Sequence, residues 1–366
     1  MRIAYVSMDA GIPVSGTKGA SIHVQSMVKA FLAMGADVTL ISPRVEGMLL
    51  PVRTVKIPLS GEDRAKSLLD ANRTLLKILA AEGPFDLIYE RHALYAHAGM
   101  EYAAAQKIAS VLEINAPLIE EQTRHRTLAY PEEALTSTRR SLEAAGMVVA
   151  VSPAVADYAR MHGARQVDVI ANAIDPARQA LPHVPGPFTV GFLGSLRPWH
   201  DIGVLLDAMQ ILQRRIPARL LIIGDGPDRE RLSPRLASIG ADVTGMVPHS
   251  DLPKHLARLD VGVAPYSAMQ PFYFSPLKLF DYMGAALPIV ASRVGNLEEM
   301  LQGGRLGLLC EPDNPEALAD VLERLAGNAH LRDSLGQAAR AHVMAHHTWD
   351  RVARKVLALA GITVSA

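Results

Sequence analysis

The sequence predicts an α/β protein built from two doubly wound, Rossmann-like domains facing a central cleft, and three observations carry the expectation. Short apolar runs alternate with amphipathic helical segments through the first half, the same alternation restarts in the second, and a proline-rich break, PARQALPHVPGP at 176–187, separates them. Alternation of this kind places helices on both faces of a parallel sheet. Four prolines and a glycine interrupt any periodicity at the break, so the domain boundary is expected there. The division is an N-terminal domain over 1–180 and a C-terminal domain over 181–346.

In order along the chain, strands are expected at 2–7, 37–42, 86–89, 110–114 and 147–151. The first helix is expected over 21–34, with Val24, Val28, Phe31 and Leu32 as its buried stripe and Gly35 as its stop. After the break, strands are expected at 189–193, 219–223, 261–264, 287–291 and 307–310, and terminal helices at 331–346 and 349–360. No tandem repeat or low-complexity tract is present. The stretch 271–292, PFYFSPLKLFDYMGAALPIVAS, reads as loop, helix, turn and buried strand. Ser275 is the expected N-cap and Pro276 the first helical residue. Leu277, Phe280 and Met283 space an apolar face, with Lys278 and Asp281 on the adjacent one. A helix start with free N–H groups and a first-turn lysine suits a phosphate. One turn on, a carboxylate accepts from a ribose hydroxyl. The bland alternative is a capped core helix whose Lys278 and Asp281 are solvated.

Composition narrows the function. The chain has 366 residues, 49% of them apolar and 20% charged, with a formal net charge of zero, which suits a globular protein and argues against nucleic-acid binding through a basic surface. Cys310 is the one cysteine, so neither an internal disulfide nor a cysteine-rich metal site is available. No signal-peptide pattern precedes the first strand, and no uncharged apolar run reaches the ~18 residues that span a bilayer. A cytoplasmic protein is expected, with membrane association at most peripheral.

Candidate sites cluster after the strands. The first loop, MDAGIPVSGTKGASIHV, runs from a strand into a helix but fails the Walker pattern by one residue and lacks G-x-G-x-x-G. Its glycines let backbone approach a ligand, and His23 falls in the first helical turn. His92, Glu113 and Asn115 follow first-half strands at one carboxyl edge. Residues 192–201, FLGSLRPWHD, set Ser195, Arg197, Trp199 and His200 around a Gly194 turn, and IIGDGP at 222–227 is a strand ending in a tight turn. H-E-x-x-H, paired cysteines and G-x-S-x-G are all absent, so no metal site and no nucleophile-elbow serine is expected.

Taken together, these segments resemble glycosyltransferase family 4, which has the GT-B fold, over nearly the whole chain. Lys18-Gly19-Ala20-Ser21-Ile22-His23 looks like the family's Gly-Gly-x-x-x-His loop, and Val169 to Asp175 like its Asn-Gly-Val-Asp hinge signature. Gly194 to His200 occupies its Gly-Arg-Leu-x-x-x-Lys phosphate segment. Gly224 to Pro227, Gly245 to Pro248 and Asp260 to Tyr266 match the next three signatures in order. Residues 271–292 match the donor helix, and Thr348-Trp349 resembles the start of a last helix that crosses back onto the first domain, here 347–366. Three departures stand out. Tyr273 holds the place of the first of two glutamates, with Asp281 at the second. Ser195 and His200 replace the phosphate arginine and lysine. Lys18 stands where the first loop glycine would be.

The resemblance implies a metal-independent, retaining glycosyltransferase of hexosyl type, with no cofactor and a nucleotide-diphosphate sugar as co-substrate, a UDP-sugar favoured over a GDP-sugar. The acceptor would be a small molecule, a glycan or a lipid-linked compound. It implies catalytic roles for Lys278, Arg197, His92 and Asn115. Donor binding would fall to Gly19, Ser195, His200, Gly226, Met246, Val247, Ser275, Pro276, Leu277 and Asp281. The acceptor side would hold Lys18, His23, Arg91, Glu113 and Arg124. A non-hydrolysing sugar-nucleotide epimerase and a silent sugar-nucleotide-binding protein are the alternatives.

Overall fold

Both sets of apolar runs form parallel sheets in the computed structural model, which describes residues 1–48, 50–175, 177, 180–269 and 271–363. Pro176, Arg178 and Gln179 of the expected linker lie outside the described residues. Contacts divide the chain into two units. The first holds Met1–Asn172, the short stretch Tyr273–Ser275 and the segment that starts at Trp349. The second holds Ala173–Phe272 and Pro276–Thr348.

The first unit contains β1 (Arg2–Ser7), β2 (Asp37–Ser42), β3 (Arg53–Lys56), β4 (Leu87–Arg91), β5 (Ala109–Ile114), β6 (Met147–Ala150) and β7 (Val167–Val169). Their order is β3-β2-β1-β4-β5-β6-β7, every pair parallel. The register sets Arg91 opposite both Ser7 and Glu113, which fixes the polar end of the sheet. Val6, Ile88, Leu112 and Ile114 build one core with Leu75, Met100 and Leu142 from covering helices. On the other face Phe31 meets Tyr89 edge-on with ring centroids 5.4 Å apart, and Tyr89 meets Tyr5 at 5.1 Å.

The second unit contains β8 (Phe188–Leu193), β9 (Ala218–Ile223), β10 (Asp242–Val243), β11 (Val261–Ala264), β12 (Ile289–Ser292) and β13 (Leu308–Cys310), in the order β10-β9-β8-β11-β12-β13. In both sheets the order reverses beside the first strand, between β1 and β4 and between β8 and β11. Ligands of doubly wound sheets bind in the crevice at the carboxyl end of such a switch point.

All the expected strands form, with ends within two residues of those read from the sequence. The strands it did not anticipate, β3, β7 and β10, are each at a sheet edge, two to four residues long and largely unburied. Such strands carry no apolar run to read. The first helix spans Gly19–Ala33 and buries Val24, Met27, Val28 and Phe31, but leaves Leu32 half-buried. The last helix, Trp349–Leu359, buries Trp349, Val352, Ala353, Val356 and Leu357. That spacing is the full i, i+3, i+4, i+7, i+8 stripe of a helix with one buried face. Trp349 meets His23 of the first helix edge-on at 4.8 Å. Among the described residues no helix is long and apolar enough to cross a membrane.

Candidate functional site

At the second unit's switch point, β8 runs into Gly194, whose φ of +140° turns the chain sharply. Gly224 follows β9 with φ +136°, and a Cβ there would collide with the Gly194 carbonyl oxygen. A Cβ on Gly226 would likewise strike the Leu196 carbonyl oxygen. Leu196 N–H donates to the Asp225 carbonyl at 3.1 Å, so the two loops are zipped backbone to backbone. The Gly-Asp-Gly turn therefore braces the 194–196 loop, and packing alone accounts for Gly226.

Lys278 projects from the helix Leu277–Gly284 into this turn. Its Nζ lies 4.0 Å from the Phe192 ring centroid and 5.5 Å from that of Tyr266. The residue is only 6% exposed, and its Nζ makes no hydrogen bond. Burial pulls its pKa well below the ordinary lysine value. The solvated lysine of the bland reading is thus overturned. Asp281, one turn further on, is half-buried.

The expected cap is also corrected. Ser275 Oγ accepts from the Asn172 N–H at 2.9 Å, and the Ser275 carbonyl accepts from the Asn172 amide. Those bonds group Ser275 with the first unit. Pro276 is the N-cap instead, extended at φ −71° and ψ 114°, and the helix begins at Leu277. Pro276 has no side-chain donor or acceptor, so the opening N–H groups receive no side-chain cap. Leu277 is half-buried, while Leu279, Phe280, Tyr282 and Met283 take the core.

His200 Nδ1 lies 2.6 Å from the Ser195 carbonyl oxygen, which can only accept, so Nδ1 carries the proton. Burial, then the neighbouring Lys278, push its pKa well below the usual histidine value. The place of the family's phosphate lysine is therefore filled by a neutral ring, packed against Phe192 and Tyr266 at 5.5 and 5.6 Å. Ser195 and Arg197 are half-buried, and the Arg197 guanidinium sits 5.4 Å over the Trp199 ring. Met246 is exposed and Val247 half-buried, following Gly245, which bridges to Gly224.

In the first unit, Glu113 gathers a polar network at the ends of β4 and β5. Tyr89 Oη and Asn115 Nδ2 both donate to its carboxylate, Arg91 donates at 3.0 Å, and His23 Nε2 lies 3.3 Å away. Burial opposes the Glu113 charge, but His23, Arg91 and the hydrogen bonds prevail and hold its pKa below the ordinary value. Burial drives His23 the other way, down to about 4, so its ring is neutral at physiological pH. His23, Arg91 and Glu113 are buried and turned toward one another rather than toward solvent; Asn115 is the half-buried member. His23 is thus a buried member of this network rather than a surface histidine.

His92 does not join this network. Strand alternation turns it to the opposite face from Arg91, its ring nitrogens have no hydrogen bond, and burial takes its pKa to about 4. Lys18 and Gly19 are exposed at the start of the first helix, where Lys18 is the N-cap residue without a side-chain cap bond. Arg124 is exposed on the helix Leu118–His125. Tyr273 Oη donates to Glu121 at 3.0 Å and its carbonyl accepts from Ser152 Oγ at 2.7 Å, so both polar groups of this replaced glutamate are engaged in the first unit. Sequence reasoning missed Tyr89, although alternation in LIYER puts it on the face of Arg91. It also missed Phe192 and Tyr266 around Lys278, which nothing local marks. Among the described residues no three His, Cys, Asp or Glu side chains are grouped to hold a metal.

The two parallel-sheet domains have the fold of the GT-B glycosyltransferases. A family model described as Glycosyltransferase Family 4 matches residues 17–178, and one described as Glycosyl transferases group 1 matches 187–328. The chain belongs to glycosyltransferase family 4. It is 32% identical over 192 residues to a D-inositol 3-phosphate glycosyltransferase of Jonesia denitrificans, covering 50% of this chain and 45% of that protein. It is 24% identical over 367 residues to a phosphatidyl-myo-inositol mannosyltransferase of Mycobacterium leprae, covering 93% and 91%. The Anabaena protein HepE, solved in complex with UDP and glucose, shares the fold at a TM-score of 0.73 and 17% identity, over 98% of each chain. The chain spans less than half the length of the first curated relatives it matches.

Proposed function

We propose that this protein is a retaining glycosyltransferase that moves a sugar from a nucleotide-diphosphate donor to an acceptor hydroxyl. One observation carries the reading: the buried, unpartnered Nζ of Lys278 at the Gly194 turn, at the switch point where a doubly wound sheet binds its ligand. A buried amine without an acceptor is costly unless a ligand supplies one. A departing diphosphate does so. In the transfer, the bond from the anomeric carbon to the diphosphate oxygen breaks, the acceptor oxygen bonds to that carbon on the same face, and the departing phosphate takes the acceptor proton. Lys278 and Arg197 meet the charge that develops on the leaving group, which is electrostatic catalysis.

Asp281 accepts from the ribose, and the backbone at Gly245 to Val247 reads the base edge. In the first unit, Asn115 presents its amide while Glu113, Arg91, Tyr89 and His23 hold it in place; Lys18 and Arg124 are exposed for an anionic acceptor. A UDP-sugar is the favoured donor, in line with the HepE complex, with a GDP-sugar next. The names of the two relatives make an inositol-containing polyol the first acceptor to try. With Lys278 and Arg197 supplying the charge, transfer proceeds without a divalent ion.

The test is incubation with UDP-, GDP- and ADP-sugars and inositol phosphates, in chelator and in its absence, read by mass spectrometry. A nucleoside diphosphate and a glycoside appearing in both arms are the expected products. An isobaric sugar nucleotide, or no product from any donor, overturns the reading. Activity only with added divalent ion overturns the charge assignment.

A further inference from the structure

The environment of Lys278 leads to an inference that rests on the donor-site reading and concerns how that site is charged. The groups facing its Nζ come from three elements, and none is an anion bonded to it. β8 and the loop after it contribute Phe192, Gly194 and the neutral His200. The loop after β11 contributes Tyr266. On its own helix, Tyr282 is already spent, accepting from Leu193 N–H at 2.7 Å and donating to the Val263 carbonyl at 3.3 Å. Asp281 lies on the same helix, and the Lys278 Nζ has no hydrogen-bond partner among the described residues. An ammonium here would be desolvated and compensated only by ring faces. The attraction of a cation to an aromatic face offsets only part of the cost of burying the ion.

We propose that Lys278 stands as a neutral amine in the empty site and takes up a proton as the diphosphate arrives, so that nucleotide binding is proton-coupled. The direction of the shift agrees, since burial alone accounts for it. The protonated amine then acts as the counter-ion of the leaving group, and the site acquires its charge only when that charge is needed. Binding therefore weakens as pH rises above the amine's value in the empty site.

The test uses the full chain, with UDP as the probe and GDP and ADP beside it. Binding enthalpy is measured at about pH 9 in buffers of small and large ionisation enthalpy. An ordinary lysine, with a pKa of about 10.4, is already protonated there. The terminal phosphate, with a pKa of about 6, is fully ionised. The expected slope of enthalpy against buffer ionisation enthalpy corresponds to nearly one proton taken up per nucleotide. Lys278→Arg, charged throughout, is expected to bind with a slope near zero. If the arginine is not accommodated, Lys278→Met, which has no proton to gain, is expected to bind weakly and without uptake. Wild-type binding with no proton uptake overturns the inference and leaves the donor site standing. Uptake that persists in both variants assigns the proton to another group and also overturns it. No binding of any of the three nucleotides overturns the donor-site reading and this inference with it.

Discussion

Replacing Lys278 with methionine should make the protein more stable and much less active. Methionine fills nearly the same volume and packs well against Phe192 and Tyr266. It removes a 6%-exposed amine that has no hydrogen-bond partner, and an unsatisfied buried polar group costs about 1–3 kcal/mol. For a unit of roughly 150–250 residues, each kcal/mol moves the melting temperature by about 2–4 °C. A rise of a few degrees is therefore expected by calorimetry at neutral pH. Transfer should fall by about 10²–10³ in kcat, the usual cost of losing one transition-state charge contact.

The sign of the pH dependence follows from the lowered pKa. Between the folded value and about 10.4 the unfolded chain binds more protons than the folded one, so wild-type stability rises with pH across that window. The advantage of the methionine variant should be largest at low pH and shrink toward pH about 10. A variant that melts lower than wild type at neutral pH, or one that transfers sugar at near wild-type rate, would refute the reasoning.

Asp281→Asn should weaken nucleoside diphosphate binding by roughly tenfold or more, since a hydrogen bond to a charged group contributes about 1.5–3 kcal/mol, whereas Asp281→Glu should keep most of it; calorimetric affinities equal to wild type in the asparagine variant would move the ribose contact elsewhere. Glu113→Gln should destabilise the first unit by about 3–5 kcal/mol at pH 7, because it strands the buried Arg91 guanidinium. As the Glu113 pKa is depressed in the fold, its stabilisation is present above the unfolded value of about 4.3 and disappears as pH falls through the folded value. Denaturation curves of the two proteins should converge in acid, and a gap that stays constant there would count against the network.

Much of this protein is legible in one dimension. Central strands such as β1 and β11 are buried on both faces, so they appear as uninterrupted apolar runs whose ends coincide with those observed. The signatures from Gly194 to Asp281 also stand in the order that brings them to the second sheet's carboxyl edge.

What the sequence determined by itself was local: which runs are strands, where glycine must turn the chain, and which helix carries a lysine in its first turn. Tertiary structure decided the state of those groups. Ser275 resembles an N-cap until Asn172, distant in sequence, takes its hydroxyl. Lys278 and Asp281 look alike on a helical wheel, yet Phe192 and Tyr266 close over the first and leave the second half-buried. His200 resembles a replacement cation until the Ser195 carbonyl and burial make it neutral. Charge and hydrogen bonding depend on what surrounds an atom in space, and residues far apart in the chain supply that surrounding. Periodicity and spacing, by contrast, depend on the chain's own geometry, which is why the fold could be read directly and the chemistry of its site could not.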